Sequence, residues 1–285
     1  MAQEERSPQV VAVANLKGGV GKSTLAVNIA GAMHSPRKPV VLVDADPQGT
    51  ALAWAETGGL PFKVEPGELA EDDVAGWIGR VLAIPAATIV LDLPPMLGAA
   101  TSAALALCDL AVIPVSPSAA DLRATNRAVE MLAEARAARG DGKPRALLVP
   151  SKVDRRTAAG AEIEAVLHGY GEPVGPIVSQ RVAHVDAFTA GLWVGDYAPK
   201  SAALAGLAKA RRGASAAGDA GGAPLSQAAL RPACSNLLGP GPCMRPATFE
   251  KSEWLSEAPA APRRSRAARV KRFKDPATRP PSGGT

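Results

Sequence analysis

Lys17-Gly18-Gly19-Val20-Gly21-Lys22-Ser23-Thr24 stands between an apolar run, Val10-Val11-Ala12-Val13-Ala14, and a helical pattern, Leu25-Ala26-Val27-Asn28-Ile29-Ala30. A strand, a tight glycine-rich turn and a helix start, in that order, form the setting in which a loop binds phosphate. Successive backbone N–H groups of such a loop make an anion nest, and the helix N-terminus adds its partial positive charge. Glycine is required because a Cβ would hold the backbone off the phosphates and forbid positive φ. In this reading Gly18, Gly19, Val20 and Gly21 line the cradle with Lys22, Ser23 and Thr24. Lys22 reaches the β- and γ-phosphates, and the Ser23 hydroxyl ligates Mg²⁺.

Two further apolar runs end in carboxylates. Val40-Val41-Leu42-Val43 leads into Asp44-Ala45-Asp46-Pro47-Gln48-Gly49, and Ile89-Val90-Leu91 leads into Asp92-Leu93-Pro94-Pro95. Short, wholly apolar runs read as buried parallel strands, and ligands of open α/β sheets gather at the carboxyl ends of such strands. Phosphoryl chemistry asks for one carboxylate near the hydrated metal and another near the attacking water. Each aspartate could instead do no more than cap the turn behind its strand.

The loop departs from the ordinary pattern, because Lys17 opens it and the glycine of the usual motif is absent at Leu16. Lys17-Gly18-Gly19-Val20-Gly21-Lys22-Ser23 is the deviant Walker A motif, and on it the chain resembles the ParA/MinD family of ATPases. The two aspartate segments resemble that family's later motifs. So do Leu110-Ala111-Val112-Ile113-Pro114-Val115-Ser116-Pro117-Ser118, the stretch from Leu147 to Thr157, and Gln180-Arg181-Val182-Ala183 with Ala187, Phe188 and Gly191, so the likeness spans about residues 10–210. It implies that Lys17 reaches across a nucleotide-sandwich homodimer to the ATP of the other subunit. It also implies that Asp44 orients or activates water, that Asp92 acts on Mg²⁺ through its water shell, and that Asp46 helps order the switch loop. The expected cofactors are ATP and Mg²⁺. Ser151-Lys152-Val153-Asp154 is similar to the Asn-Lys-x-Asp loop with which GTPases read guanine, with serine replacing the asparagine, and ATP is preferred over GTP.

Composition divides the chain. Residues 1–210 alternate short apolar runs with longer amphipathic stretches, as a doubly wound, mostly parallel sheet flanked by helices does. Residues 213–285 hold ten prolines and eight glycines among 73 positions, with no sustained period. That reads as a low-complexity, disordered tail. The expected organisation is an N-terminal extension at 1–9, an ATPase domain at 10–212 and a basic tail at 213–285. Residues 1–210 carry 19 Lys and Arg against 22 Asp and Glu, and residues 211–285 carry 13 against 5, so an acidic body of net −3 precedes a stretch of net +8. The cluster Arg263-Arg264-Ser265-Arg266-Ala267-Ala268-Arg269-Val270-Lys271-Arg272-Phe273-Lys274 could hold nucleic-acid phosphates without sequence preference, or could simply be solvated.

Other chemistries lack their residues. Cys108, Cys234 and Cys243 have no metal-ligand spacing, and His34, His168 and His184 are scattered, which argues against cluster-bearing relatives of this fold and against any metal beyond Mg²⁺. Cys108 reads as a small buried side chain. No signal peptide, bilayer-spanning run or convincing amphipathic membrane helix is visible, so a cytoplasmic protein with no membrane partner is expected, and the family resemblance implies that it is nucleoid-associated. Only about nine residues precede the first strand, so an N-terminal helix-turn-helix domain is not expected.

Within the family the partition branch fits. There an ATP-bound homodimer binds DNA non-specifically, and a ParB-like centromere-binding protein or cargo adaptor stimulates hydrolysis. The candidate DNA contacts are Arg181, Lys200, Lys209, Arg211 and Arg212, with Arg155 and Arg156 behind them. A protein cargo in place of plasmid or chromosome stays open, as does a redox or biosynthetic ATPase on the same scaffold.

Overall fold

The computed structural model describes residues 7–70, 73–96, 98–179 and 182–200. Seven strands form one sheet in the order β3-β2-β4-β1-β5-β6-β7, and every neighbouring pair is parallel. They are β1 Gln9–Val13, β2 Val40–Asp44, β3 Lys63–Pro66, β4 Thr88–Asp92, β5 Leu110–Val115, β6 Arg145–Val153 and β7 Val178–Ser179. The helices are α1 Lys22–Met33, α2 Thr50–Ala55, α3 Val74–Leu82, α4 Ala99–Leu107, α5 Ala119–Arg139, α6 Ala158–His168, α7 Val182–Thr189 and α8 Val194–Tyr197.

The central strands are apolar throughout because both faces of the sheet are covered. Strand periodicity sends alternate residues to opposite sides. Val10, Ala12, Ile89 and Leu91 enter a core shared with Trp77, Leu105, Leu132 and Leu167, from α3, α4, α5 and α6. Val11, Val13, Leu42 and Val90 enter a second core with Leu25, Ile29, Trp54, Ala187 and Val194, from α1, α2, α7 and α8. Helix α1 is buried almost all round, and its contact with the segment after α7 fixes one residue type. A Cβ at Gly31 would overlap the Trp193 ring. Nearby, Asn28 donates to the Thr24 carbonyl at 2.7 Å and accepts from the Val194 amide at 2.8 Å, so α8 is tied to the helix that follows the phosphate loop.

Strand order places the site. The chain builds β2, β3 and β4 on one side of β1 and then crosses through α4 to β5 on the other side. That reversal is the topological switch point at which doubly wound sheets bind ligands. Register does the rest, because Val13 pairs with Asp92 and Asp92 pairs with Asp44. Both aspartates therefore end their strands level with the entry to the glycine loop.

The expected doubly wound α/β architecture is observed, and the described strands are wholly parallel. Cys108 is fully buried, and burial pushes its thiol up to about 12. The expectations for the N-terminal extension up to residue 6 and for the tail at 213–285 lie outside the described residues.

Candidate nucleotide site

The loop between β1 and α1 takes the left-handed turns that its glycines permit, with φ of +75° at Gly19 and +93° at Gly21. These are positions that side chains with a Cβ rarely occupy. A Cβ at Gly19 would meet no atom within 4 Å, so the cradle opens outward there. No side chain caps the first turn of α1, which leaves its leading amides available to an anion.

The loop's two lysines are held differently. Lys22 is buried, its ammonium donates to the Lys17 carbonyl at 3.3 Å, and burial lowers its pKa against the opposing fields of Asp92 and Asp46. Lys17 lies at the rim, with 39% of its side chain exposed, and its ammonium sits 3.0 Å from an Asp121 carboxylate oxygen. It also donates to the Ser118 hydroxyl at 3.3 Å. Asp121 is buried in the first turn of α5 and accepts from the hydroxyls of Ser116 and Ser118. Burial raises its pKa, but these three donors outweigh burial and hold it below the ordinary carboxylate range. Within this subunit, Lys17 thus rests on an acidic socket built from the β5–α5 turn.

Asn15, buried at the end of β1, braces the loop's entry. It donates to the Pro114 carbonyl at 2.6 Å and accepts from the Lys17 amide at 3.1 Å. Neither Asn15 nor Asp121 was singled out from sequence. For Asp121 a local signal existed, since Ser118-x-x-Asp121 before a helix is the pattern of a capping box, and the Ser118 hydroxyl accepts from the Asp121 amide at 3.2 Å.

The two strand-end aspartates differ in their partners. Asp44 is buried and accepts from three backbone amides: one oxygen from the Asp46 amide at 3.1 Å, the other from the Ala51 and Leu52 amides at 2.9 and 3.0 Å. Burial raises its pKa and these amide bonds oppose the rise. Asp44 thereby anchors the N-terminus of α2, which gives the turn-capping alternative a physical basis. Asp92 has 0% exposure, and neither of its oxygens has a well-formed hydrogen bond, although the Ser23 hydroxyl stands close by. Burial drives its carboxyl up to about 7, with the neighbouring Ser23 hydroxyl pulling the other way. Asp46 accepts from the Gln48 amide at 3.0 Å at the more open edge of the loop.

An unpartnered buried carboxylate is costly, and a cation relieves the cost. Asp92 and the Ser23 hydroxyl therefore fit Mg²⁺ of the kind that keeps several waters and takes one or two carboxylates together with substrate phosphates. Among the described residues, no three His, Cys, Asp or Glu side chains gather as an all-protein metal cage. Of the proposed DNA contacts, Lys200 is exposed just after α8, Arg155 and Arg156 are exposed after β6, and Arg181, Lys209, Arg211 and Arg212 lie outside the described residues. No helix among the described residues is long and apolar enough to cross a membrane.

The CobQ/CobB/MinD/ParA nucleotide binding domain family matches residues 11–192. The chain is 36% identical over 166 residues to the maintenance of carboxysome distribution protein A of Halothiobacillus neapolitanus, covering 58% of this chain and 76% of that protein. It is 32% identical over 224 residues to the chromosome-partitioning ATPase Soj of Thermus thermophilus, covering 67% of this chain and 89% of Soj. In fold it resembles the septum site-determining protein MinD of Pyrococcus horikoshii complexed with Mg-ADP, with a TM-score of 0.58 at 16% identity, covering 73% of this chain and 96% of MinD.

Proposed function

This chain belongs to the CobQ/CobB/MinD/ParA nucleotide-binding family, and from that premise we propose that it is an ATP-dependent switch that dimerises, binds non-specific DNA and thereby positions a cargo. The observation that carries the reading is the separation of the two loop lysines. Lys22 is buried beneath the cradle, where it serves its own subunit's triphosphate. Lys17 stands at the rim, where its ammonium is free to exchange Asp121 for a triphosphate held by a second copy.

The amides of residues 18–24 and the Lys22 ammonium bind the phosphates and orient the terminal one. Mg²⁺, held by the Ser23 hydroxyl and through water by Asp92, would neutralise phosphate charge when bound. Asp44 positions the attacking water once its carboxylate gives up an α2 amide. In the described conformation that carboxylate holds three backbone amides, so hydrolysis is expected to stay slow until a partner shifts α2. The ATPase domain is taken as residues 10–212. The basic stretch beyond residue 210 adds non-specific attraction to nucleic acid.

Two cargo readings each have support. Similarity to the carboxysome distribution protein favours a protein assembly and an adaptor for it. Similarity to Soj favours a chromosome or plasmid and a ParB-like partner. Both predict ATP-dependent retention on DNA of arbitrary sequence, and a biosynthetic or redox ATPase on this scaffold does not. The test is retention of the purified chain on random-sequence DNA with ATP and Mg²⁺ against ADP and Mg²⁺. Equal retention in both would overturn the switch reading. Capture of a segregation-type or assembly-type partner by the ATP-bound Asp44→Asn variant then divides the two cargo classes.

A further inference from the structure

Strand β6 ends irregularly beside the phosphate loop. Ser151 pairs with Val178 and Val153 with Ser179, with a register shift between them. Lys152, in that shift, has φ +54°, the one positive value at a non-glycine residue among the described residues. Such backbone costs energy and persists where its surroundings over-determine it. What the bulge secures is the placement of Ser151. This side chain is buried, and its hydroxyl donates to the Val20 carbonyl at 2.9 Å, across 131 positions of sequence. A Cβ on Gly21 would lie 3.3 Å from the Ser151 hydroxyl and 3.7 Å from Lys152 Cε, so the end of β6 lies against the back of the loop.

We infer that Ser151 is a positioning residue for the phosphate loop: its hydroxyl turns the Val20 carbonyl toward β6, which leaves the amides that follow to face the anion. A carbonyl aimed into the cradle would repel phosphate and cancel the attraction of the neighbouring N–H groups. Buried and without a donor, the same carbonyl would also be penalised, so the loop would sample other backbone arrangements. The inference explains why a short hydroxyl serves at the head of Ser151-Lys152-Val153-Asp154, where GTPases carry asparagine: the side chain has only to span from the bulge to the loop. It rests on the nucleotide reading above and extends it to a residue whose hydroxyl is held by the loop backbone.

The test uses the full chain, with Ser151→Ala and Ser151→Thr compared with the parent. Hydrogen exchange without nucleotide reports on the amides of residues 17–22, and a fluorescent ATP analogue with Mg²⁺ reports affinity. Ser151→Ala is expected to bind roughly tenfold more weakly, equivalent to about 1.4 kcal/mol. Its loop amides should exchange faster, and protection over β1 and β4 should be retained. Ser151→Thr, which keeps the hydroxyl, should restore both affinity and protection. Affinity within twofold of the parent in the alanine variant, or unchanged exchange across residues 17–22, would overturn the assignment, as would a threonine variant no better than alanine. Should the parent itself fail to bind the analogue, the nucleotide reading falls, and the exchange result still decides for or against Ser151.

Discussion

Replacing Asp92 by asparagine should make the nucleotide-free protein more stable and leave it unable to respond to its ligand. Asp92 is wholly buried with no well-formed hydrogen bond, and its carboxyl is pushed from the ordinary 3.8 to about 7 against the nearby Ser23 hydroxyl. Between those two values the folded chain holds a proton that the unfolded chain releases, so parental stability falls as pH rises through that window. At about 1.36 kcal/mol per pH unit, the loss reaches about 4 kcal/mol above pH 7. Asparagine carries no charge, but its amide meets the same lack of partners, at a cost of about 1–3 kcal/mol. The expected net gain for Asp92→Asn at pH 8 is therefore about 2 kcal/mol, roughly 4–8 °C in Tm for a body of this size. The gain should vanish between about pH 5 and 6 and turn into a deficit of about 2 kcal/mol as pH approaches 4. Asp44, whose pKa is also raised by burial, leaves a smaller slope of the same sign in both proteins. Urea unfolding from pH 4 to pH 8, in EDTA and without nucleotide, measures this. The second half of the experiment adds ATP and Mg²⁺, which should stabilise the parent strongly and the variant little. An Asp92→Asn protein less stable than the parent at pH 8, or a gap between them that ignores pH, would refute the argument that this carboxylate is an uncompensated charge awaiting a cation.

Two further substitutions probe other parts of the account. Asp44→Asn should cut steady-state ATP hydrolysis by at least about a hundredfold while an ATP-dependent dimer persists. Turnover at the parental rate would remove Asp44 from the chemistry. Gly31→Ala should destabilise the fold by about 1–3 kcal/mol, since its methyl would overlap the Trp193 ring. Urea midpoints measure this, and a neutral result would mean that the segment joining α7 to α8 shifts freely against α1.

How much of this could be read from the chain depends on the distance over which each feature is built. The glycine loop, Asp44 and Asp92 are legible because each follows an apolar strand within a few residues, and parallel pairing then brings the strand ends level. Strands β3 and β7 are less legible. Lys63-Val64-Glu65-Pro66 is a polar edge strand with no apolar run, and β7 is two residues long. The contacts of Asp121 and Ser151 with the phosphate loop are not legible, because they reach it from 104 and 131 positions away, by hydroxyl and carboxylate contacts that leave no periodic trace. The engagement of Asp44 by the Asp46, Ala51 and Leu52 amides is likewise a matter of conformation, since Asp-x-Asp-Pro-Gln-Gly specifies the residues and not which lone pairs are occupied.

The central claim is that the loop's two lysines serve two different triphosphates. Light scattering of the purified chain with a non-hydrolysable ATP analogue and Mg²⁺ addresses it most directly, run for the parent and for Lys17→Ala. The account predicts that the parent's mass doubles from 29.0 kDa, while Lys17→Ala binds the analogue with near-parental affinity and stays a monomer. A parent that remains monomeric at saturation, or a Lys17→Ala protein that dimerises as the parent does, would contradict it.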